Sequence, residues 1–222
     1  MTLCKKYMIP PKTLVAGAVC LSISLISGEV ALADPAGYDE RLSMPVSIDG
    51  KPAVLTRFEK RKGVHNGLYA EHLSTVTTAE GALQGFVSMD LKNVIADPEM
   101  LPQPEHAKAI ADKYLAEVAP DLLQDRKILW VDVHDETLRI SDNADGYSEV
   151  RVQGMKVKSR NTRTGLYFWV IVGADEQVMV FERDIRWIIF PGKRGTEQWL
   201  HDAWLAKKLG TERLPAGEPE RG

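Results

Sequence analysis

"GLYFWVIVGADEQVMVFERDI", residues 165–185, carries two apolar runs on either side of a short polar turn. In the first run Leu166, Phe168, Val170 and Val172 share one face, and Tyr167, Trp169 and Ile171 the other, because successive side chains of a strand alternate. Both faces are apolar, so the spacing predicts a central strand covered on both sides. Burying each such side chain contributes about 1.5–3 kcal/mol. After the turn, Met179, Phe181, Ile185 and Trp187 supply an apolar face, with Glu182 and Asp184 expected to point the other way. The hairpin holds no evident catalytic group and reads as scaffold.

Working outward, the same pattern occurs twice. In the first half Val46-Ser47-Ile48 alternates and Asp49-Gly50-Lys51-Pro52 turns; strands follow at 53–58, 68–77 and 83–94. After Pro102 and Pro104, Ala107, Ile110, Ala111, Tyr114, Leu115 and Val118 recur at the spacing of one buried helical stripe, which Pro120 ends. In the second half strands are expected at 127–140, 149–160, 166–172 and 178–187. A helix over 196–209 follows, with Thr196 as N-cap and Gly210 as stop. Within 149–160, Val150 and Val152 share one parity and Met155 and Val157 the other, which predicts a bulge at Gly154.

Asp49-Gly50, Gly67-Leu68-Tyr69 and Ala79-Glu80-Gly81 match Asp145-Gly146, Gly165-Leu166-Tyr167 and Ala174-Asp175-Glu176 at similar offsets of 96, 98 and 95 residues, the pattern of an internal repeat. The expected fold class is therefore α+β: two similar units, each a four-stranded antiparallel meander followed by one helix packed on a curved sheet. The units span 34–120 and 121–213, between an N-terminal segment 1–33 and a disordered tail 214–222.

Residues 1–33 read as a cleavable Sec-type signal peptide. Lys5, Lys6 and Lys12 precede an apolar stretch at 14–26, and Ala31-Leu32-Ala33 is a small-x-small cleavage site. The apolar stretch is short for a spanning helix, which needs about 20 residues, so no membrane span is expected after cleavage. Cys4 and Cys20 both fall in this segment, leaving a mature chain without disulfide or thiolate chemistry. The location expected is the bacterial periplasm or the medium. The sequence has a net charge of −3, and removing three lysines and Glu29 takes it to −5. That acidic balance argues against nucleic acid as partner.

Three groups of residues could carry chemistry. Asp132, His134 and Glu136 in "WVDVHDE" (130–136) lie on one side of a strand about 6.5–7 Å apart, a row that could hold a divalent metal or a general base. With Leu129, Val131 and Val133 taken as the core side, the same row is the wet face of a strand, and that reading is preferred. Lys156, Lys158 and Arg160, with Arg163 just beyond, form a basic row able to grip an anionic ligand or to pair with the acidic row across the strands. Trp199 and Trp204, on the expected final helix, could form a partly exposed aromatic surface. There is no Gly-rich phosphate loop or Gly-x-Ser-x-Gly elbow, and no cofactor is expected.

In the order of its elements the chain resembles small exported helix-on-curved-sheet domains, PepSY-like and cystatin-like modules among them. The resemblance implies a binding or inhibitory role. The expected function is a non-enzymatic exported binding module acting on a protein or envelope component. The alternatives are a metal-dependent hydrolase using Asp132, His134 and Glu136, or a carrier of a small apolar ligand between sheet and helix.

Overall fold

The computed structural model describes residues 37–61, 67–95, 97–141, 146–190 and 192–210. The expected signal segment, the first leader residues, part of the Asp145-Gly146 turn and the tail lie outside the described residues. The strands are β1 (Tyr38–Ile48), β2 (Lys51–Lys60), β3 (His72–Thr78), β4 (Leu83–Met89), β5 (Arg126–Ser141), β6 (Tyr147–Asn161), β7 (Tyr167–Val172) and β8 (Val178–Ile185). Helices α1 (Pro104–Val118) and α2 (Asp121–Gln124) separate β4 from β5. A small hairpin, β9 (Trp187–Ile188) and β10 (Lys193–Arg194), leads to the last helix, α3 (Asp202–Leu209).

Two consecutive antiparallel meanders join into one eight-stranded sheet in the order β1-β2-β3-β4-β8-β7-β6-β5. The joint is β4 against β8, through Gly85↔Glu182, Phe86↔Phe181 and Val87↔Val180. Local chemistry drives the tight turns. Asp49 and Gly50 both take positive φ, as the two-residue type I′ hairpin between Ile48 and Lys51 requires. Alternation sorts the central strand as expected: Phe168, Val170 and Val172 enter one core and Trp169 and Ile171 the other.

The two cores lie on opposite faces of this single sheet. On one, Ala107, Ala111 and Leu115 of α1 pack chiefly against β5–β8. On the other lie Trp199, Leu200 and Leu205, from α3 and the segment before it. The expectation of a separate helix-covered sheet per unit is thus corrected: α1 follows the first meander in sequence yet covers mainly the second.

Other elements differ from expectation for local reasons. The final helix begins at Asp202, and Thr196 is no N-cap, since its hydroxyl accepts the Arg186 amide at 2.8 Å. The intervening segment packs onto the sheet, with Leu200 directly over Gly85. A Cβ on Gly85 would stand 2.7 Å from Leu200 Cδ1. No bulge occurs at Gly154, where β6 keeps register with β5 through His134↔Gly154. Val150 and Val152 face the α3 side while Met155 and Val157 face α1; a strand covered twice does not need its apolar residues on one side. The shift falls instead at Leu129, which the bulge between Ile128 and Trp130 leaves outside the ladder.

Among the described residues no helix is long and apolar enough to cross a membrane.

Candidate functional site: a cleft between the sheet and α3

Register places two rows of side chains across the α3 face of the sheet. One runs Leu55, Val76, Gly85, Glu182, Trp169, Lys158, Trp130 from β2 to β5. The next runs Arg57, Ser74, Val87, Val180, Ile171, Lys156, Asp132. An eight-residue helix is about 12 Å long, whereas eight strands span over 30 Å at about 4.8 Å each. Such a helix cannot cover the face, and the uncovered part is a cleft of about 580 Å³. Val87, Met89, Val180, Leu200 and Trp169 form its apolar lining, while Tyr69, Trp187 and Arg194 also border it.

The polar lining is organised in pairs. Arg194 donates to both oxygens of Glu182, at 2.6 and 3.1 Å, with both side chains buried. Glu182, expected to point away from the core, is therefore inside it, neutralised by a guanidinium from the hairpin. His134 Nε2 donates to Glu136 Oε1 at 3.1 Å. Burial works to raise the Glu136 carboxyl, but the His134 hydrogen bond and the charges of His201, His134 and Lys156 hold it below its ordinary value.

Below α3, Arg57 pairs with Asp202 at 2.5 Å and with Glu59 at 3.3 Å, and the Tyr69 amide also donates to Asp202. His72 lies 3.8 Å from Asp202. Burial, reinforced by the positive charge of Arg57, pushes the imidazole down to about 4, so it is neutral near pH 7. Its Nδ1–H donates to the Ala70 carbonyl at 2.8 Å. Nε2 is then the acceptor nitrogen, buried and without a hydrogen-bond partner among the described residues.

Lys156 completes the cleft. Its ammonium stands 4.4 Å from the centre of the Trp169 ring. Among the described residues it has no hydrogen bond or ion pair. Burial lowers it to about 8, against the raising influence of Glu182 and Glu136.

The sequence-predicted residues divide. Lys156, His134 and Glu136 come together in the cleft. The wet-face reading of the acidic row is corrected for the last two, both half-buried, while Val133 and Leu129 are the more exposed residues. Asp132 is exposed and outside the cleft, its carboxylate accepting the Val133 amide. Among the described residues no three His, Cys, Asp or Glu side chains converge as a metal site. Lys158 leaves the basic row for an aromatic setting, 5.3–5.5 Å from the rings of Trp130, Trp187 and Tyr167. Arg160 donates to the Gly165 carbonyl, and Arg163 pairs with Asp125 at 3.0 Å. Trp199 is buried in the core and Trp204 half-buried beside Lys208, so the two form no exposed platform.

His72, Glu182, Arg194 and Asp202 escaped the sequence reading. Glu182 has a local signal, a carboxylate within an otherwise apolar strand in "VMVFE" at 178–182, whereas Arg194 and Asp202 lie outside such strands and have none.

The fold and cleft define an α+β protein with a ligand-sized cavity between a broad antiparallel sheet and a short helix. Comparison with protein-family models, curated proteins and solved structures gave no match.

Proposed function

We propose that the protein is an exported, non-enzymatic binding protein whose cleft takes a small amphipathic molecule with an acidic head, an envelope component in chemical class. The observation that carries this reading is the Lys156 ammonium, lodged on Trp169 inside the cleft with no direct anionic partner among the described residues. Glu182 is satisfied by Arg194 and Glu136 by His134, so the cation remains for a carboxylate or phosphate from outside. Val87, Met89, Val180 and Leu200 offer apolar contact to the remainder of the ligand.

The test uses a fluorescent long-chain fatty acid as probe. Saturable binding that Lys156→Met weakens about tenfold or more, the loss of one buried charge pair, is the expected result. No binding, or equal binding by the variant, overturns the reading.

The hydrolytic alternative is favoured by the His134–Glu136 pair at 3.1 Å. A stoichiometric ion in the purified protein, lost in His134→Ala, would establish it in place of simple binding. Export rests on the pattern of residues 1–33; an N-terminus at Asp34 on protein recovered from the envelope fraction is the expected result.

We read the two meanders as products of duplication. Supporting this, each meander contributes its last strand to the central joint, and Gly67 and Gly165 both take positive φ before their Leu-Tyr pairs.

A further inference from the structure

The β9–β10 hairpin carries at its tip the most exposed large apolar side chains among the described residues, Ile189 at 92% and Phe190 at 91%. Trp187 and Ile188 behind them are also partly exposed, at 42% and 39%. Scattered apolar residues on a surface are ordinary, but four in succession on one projection are not. Basic groups flank the tip. Lys193 is exposed and has no ion pair among the described residues, and the Lys158 ammonium lies 5.4 Å from the Trp187 ring. Gly195 anchors the base, its amide donating to the Arg186 carbonyl at 2.9 Å.

Shape and area decide what this projection fits. Ile189 and Phe190 together offer roughly 300–400 Å² of surface. A stable protein interface needs about 800 Å² from each partner, so neither a second copy nor a globular protein gains enough from the tip alone. A lipid surface closes around a narrow apolar projection from every side. It also suits an indole at headgroup level and a lysine whose ammonium reaches anionic phosphates.

We propose that the β9–β10 tip docks the protein on a lipid surface. Ile189 and Phe190 enter the boundary between headgroups and acyl chains, with Trp187 and Lys193 at headgroup level. Trp187 and Arg194 also line the cleft, so docking sets the mouth of the cavity against the membrane. The inference stands on the hairpin and does not depend on the ligand assigned to the cleft.

The experiment measures tryptophan quenching of the full chain by phosphatidylcholine–phosphatidylglycerol vesicles with brominated acyl chains. This readout is local to an indole that approaches the acyl region. The expected result is quenching that Trp187→Phe removes and the double variant Ile189→Ser/Phe190→Ser abolishes. Lys193→Glu should weaken it about thirtyfold, the effect of a two-unit charge change near an anionic surface. Both tip residues are solvent-exposed, so an unchanged melting temperature verifies that the double variant is folded. Absence of quenching in the wild type overturns the proposal, as does equal quenching in wild type and double variant. So does a concentration-dependent dimer that the double variant dissolves, since a second copy then covers the tip.

Discussion

Arg194 of β10 grips Glu182 of β8 through two hydrogen bonds, at 2.6 and 3.1 Å, with both side chains almost fully buried. The same guanidinium donates to the carbonyls of Thr196 and Glu197. One side chain thereby fixes the small hairpin, the chain leading to α3 and one wall of the cleft. Removing it leaves a buried carboxylate without its partner. Arg194→Met should cost about 3–5 kcal/mol in denaturant unfolding. Amide exchange should accelerate in β9 and β10 before it does in the central strands. Uniform exchange across hairpin and sheet would contradict this assignment.

Arg57 and Asp202 form the other buried link, between β2 and α3, 145 residues apart in sequence. Asp202→Ala leaves the guanidinium with Glu59 and the Gly67 carbonyl and removes the acceptor of the Tyr69 amide. A loss of about 3 kcal/mol is expected. Replacing the whole charged cluster, Arg57→Met with Asp202→Leu and Glu59→Gln, should restore part of it, since buried ionic groups often gain little over good packing and no carboxylate is then left without its guanidinium. Burial works to raise the Asp202 carboxyl, but neighbouring His72 and Arg57 and the Tyr69 amide hold it below its ordinary value. Its contribution is therefore present above the unfolded-state value of 3.8 and fades as pH falls through the lower native one.

His72 predicts a separate pH dependence. The unfolded chain takes up its proton near the ordinary value of 6.5, and the native imidazole, held down by burial and Arg57, only near 4. Between those values the unfolded state binds the more protons, so stability falls as pH drops from 6.5 to about 4 and then levels for this group. The loss is about 3 kcal/mol. His72→Leu should flatten the stability profile across that window, measured by urea unfolding at successive pH values. An unchanged profile would mean that His72 charges freely in the native state.

Gly154 lies on β6 opposite His134. A Cβ there would meet Ile171 Cγ2 at 2.5 Å, Met179 Sδ at 2.7 Å and the Val172 carbonyl at 3.0 Å. Gly154→Ala should therefore destabilise by about 1–3 kcal/mol through overpacking, despite the better strand propensity of alanine. An increase in melting temperature would show that Ile171 and Met179 yield to the methyl group.

Lys156 should titrate near 8 because burial disfavours its charge. The resonance of a ¹³C-dimethylated Lys156 should follow that midpoint and move upward when an acidic ligand fills the cleft. A midpoint near the ordinary lysine value in the empty protein would place the ammonium in bulk water.

Much of this architecture is written in short-range pattern. Phe168 and Val170 against Trp169 and Ile171 announce a strand with two dry faces, and Asp49-Gly50 announces its turn. The stripe from Ala107 to Val118 announces α1. Each signal depends on residues a few positions apart, where backbone geometry alone sets which side chains share a face. Lys156, His134 and Glu136 were visible as candidates because alternation along β5 and β6 placed them in rows.

The meeting of Gly85 with Glu182 has no such local code. It merges two meanders into one sheet, sends α1 and α3 to opposite faces, and leaves α3 too short for its side. Glu182 is buried because Arg194 returns to it from the hairpin. Trp199 and Leu200 are both buried in the same core, where Leu200 descends onto Gly85. Those outcomes depend on contacts between distant parts of the chain, whose free energies are settled by shape and desolvation after the strands assemble. Periodicity along the polypeptide therefore specifies faces and turns, while the cleft, its buried ion pairs and the projecting Ile189–Phe190 tip exist only in the packed molecule.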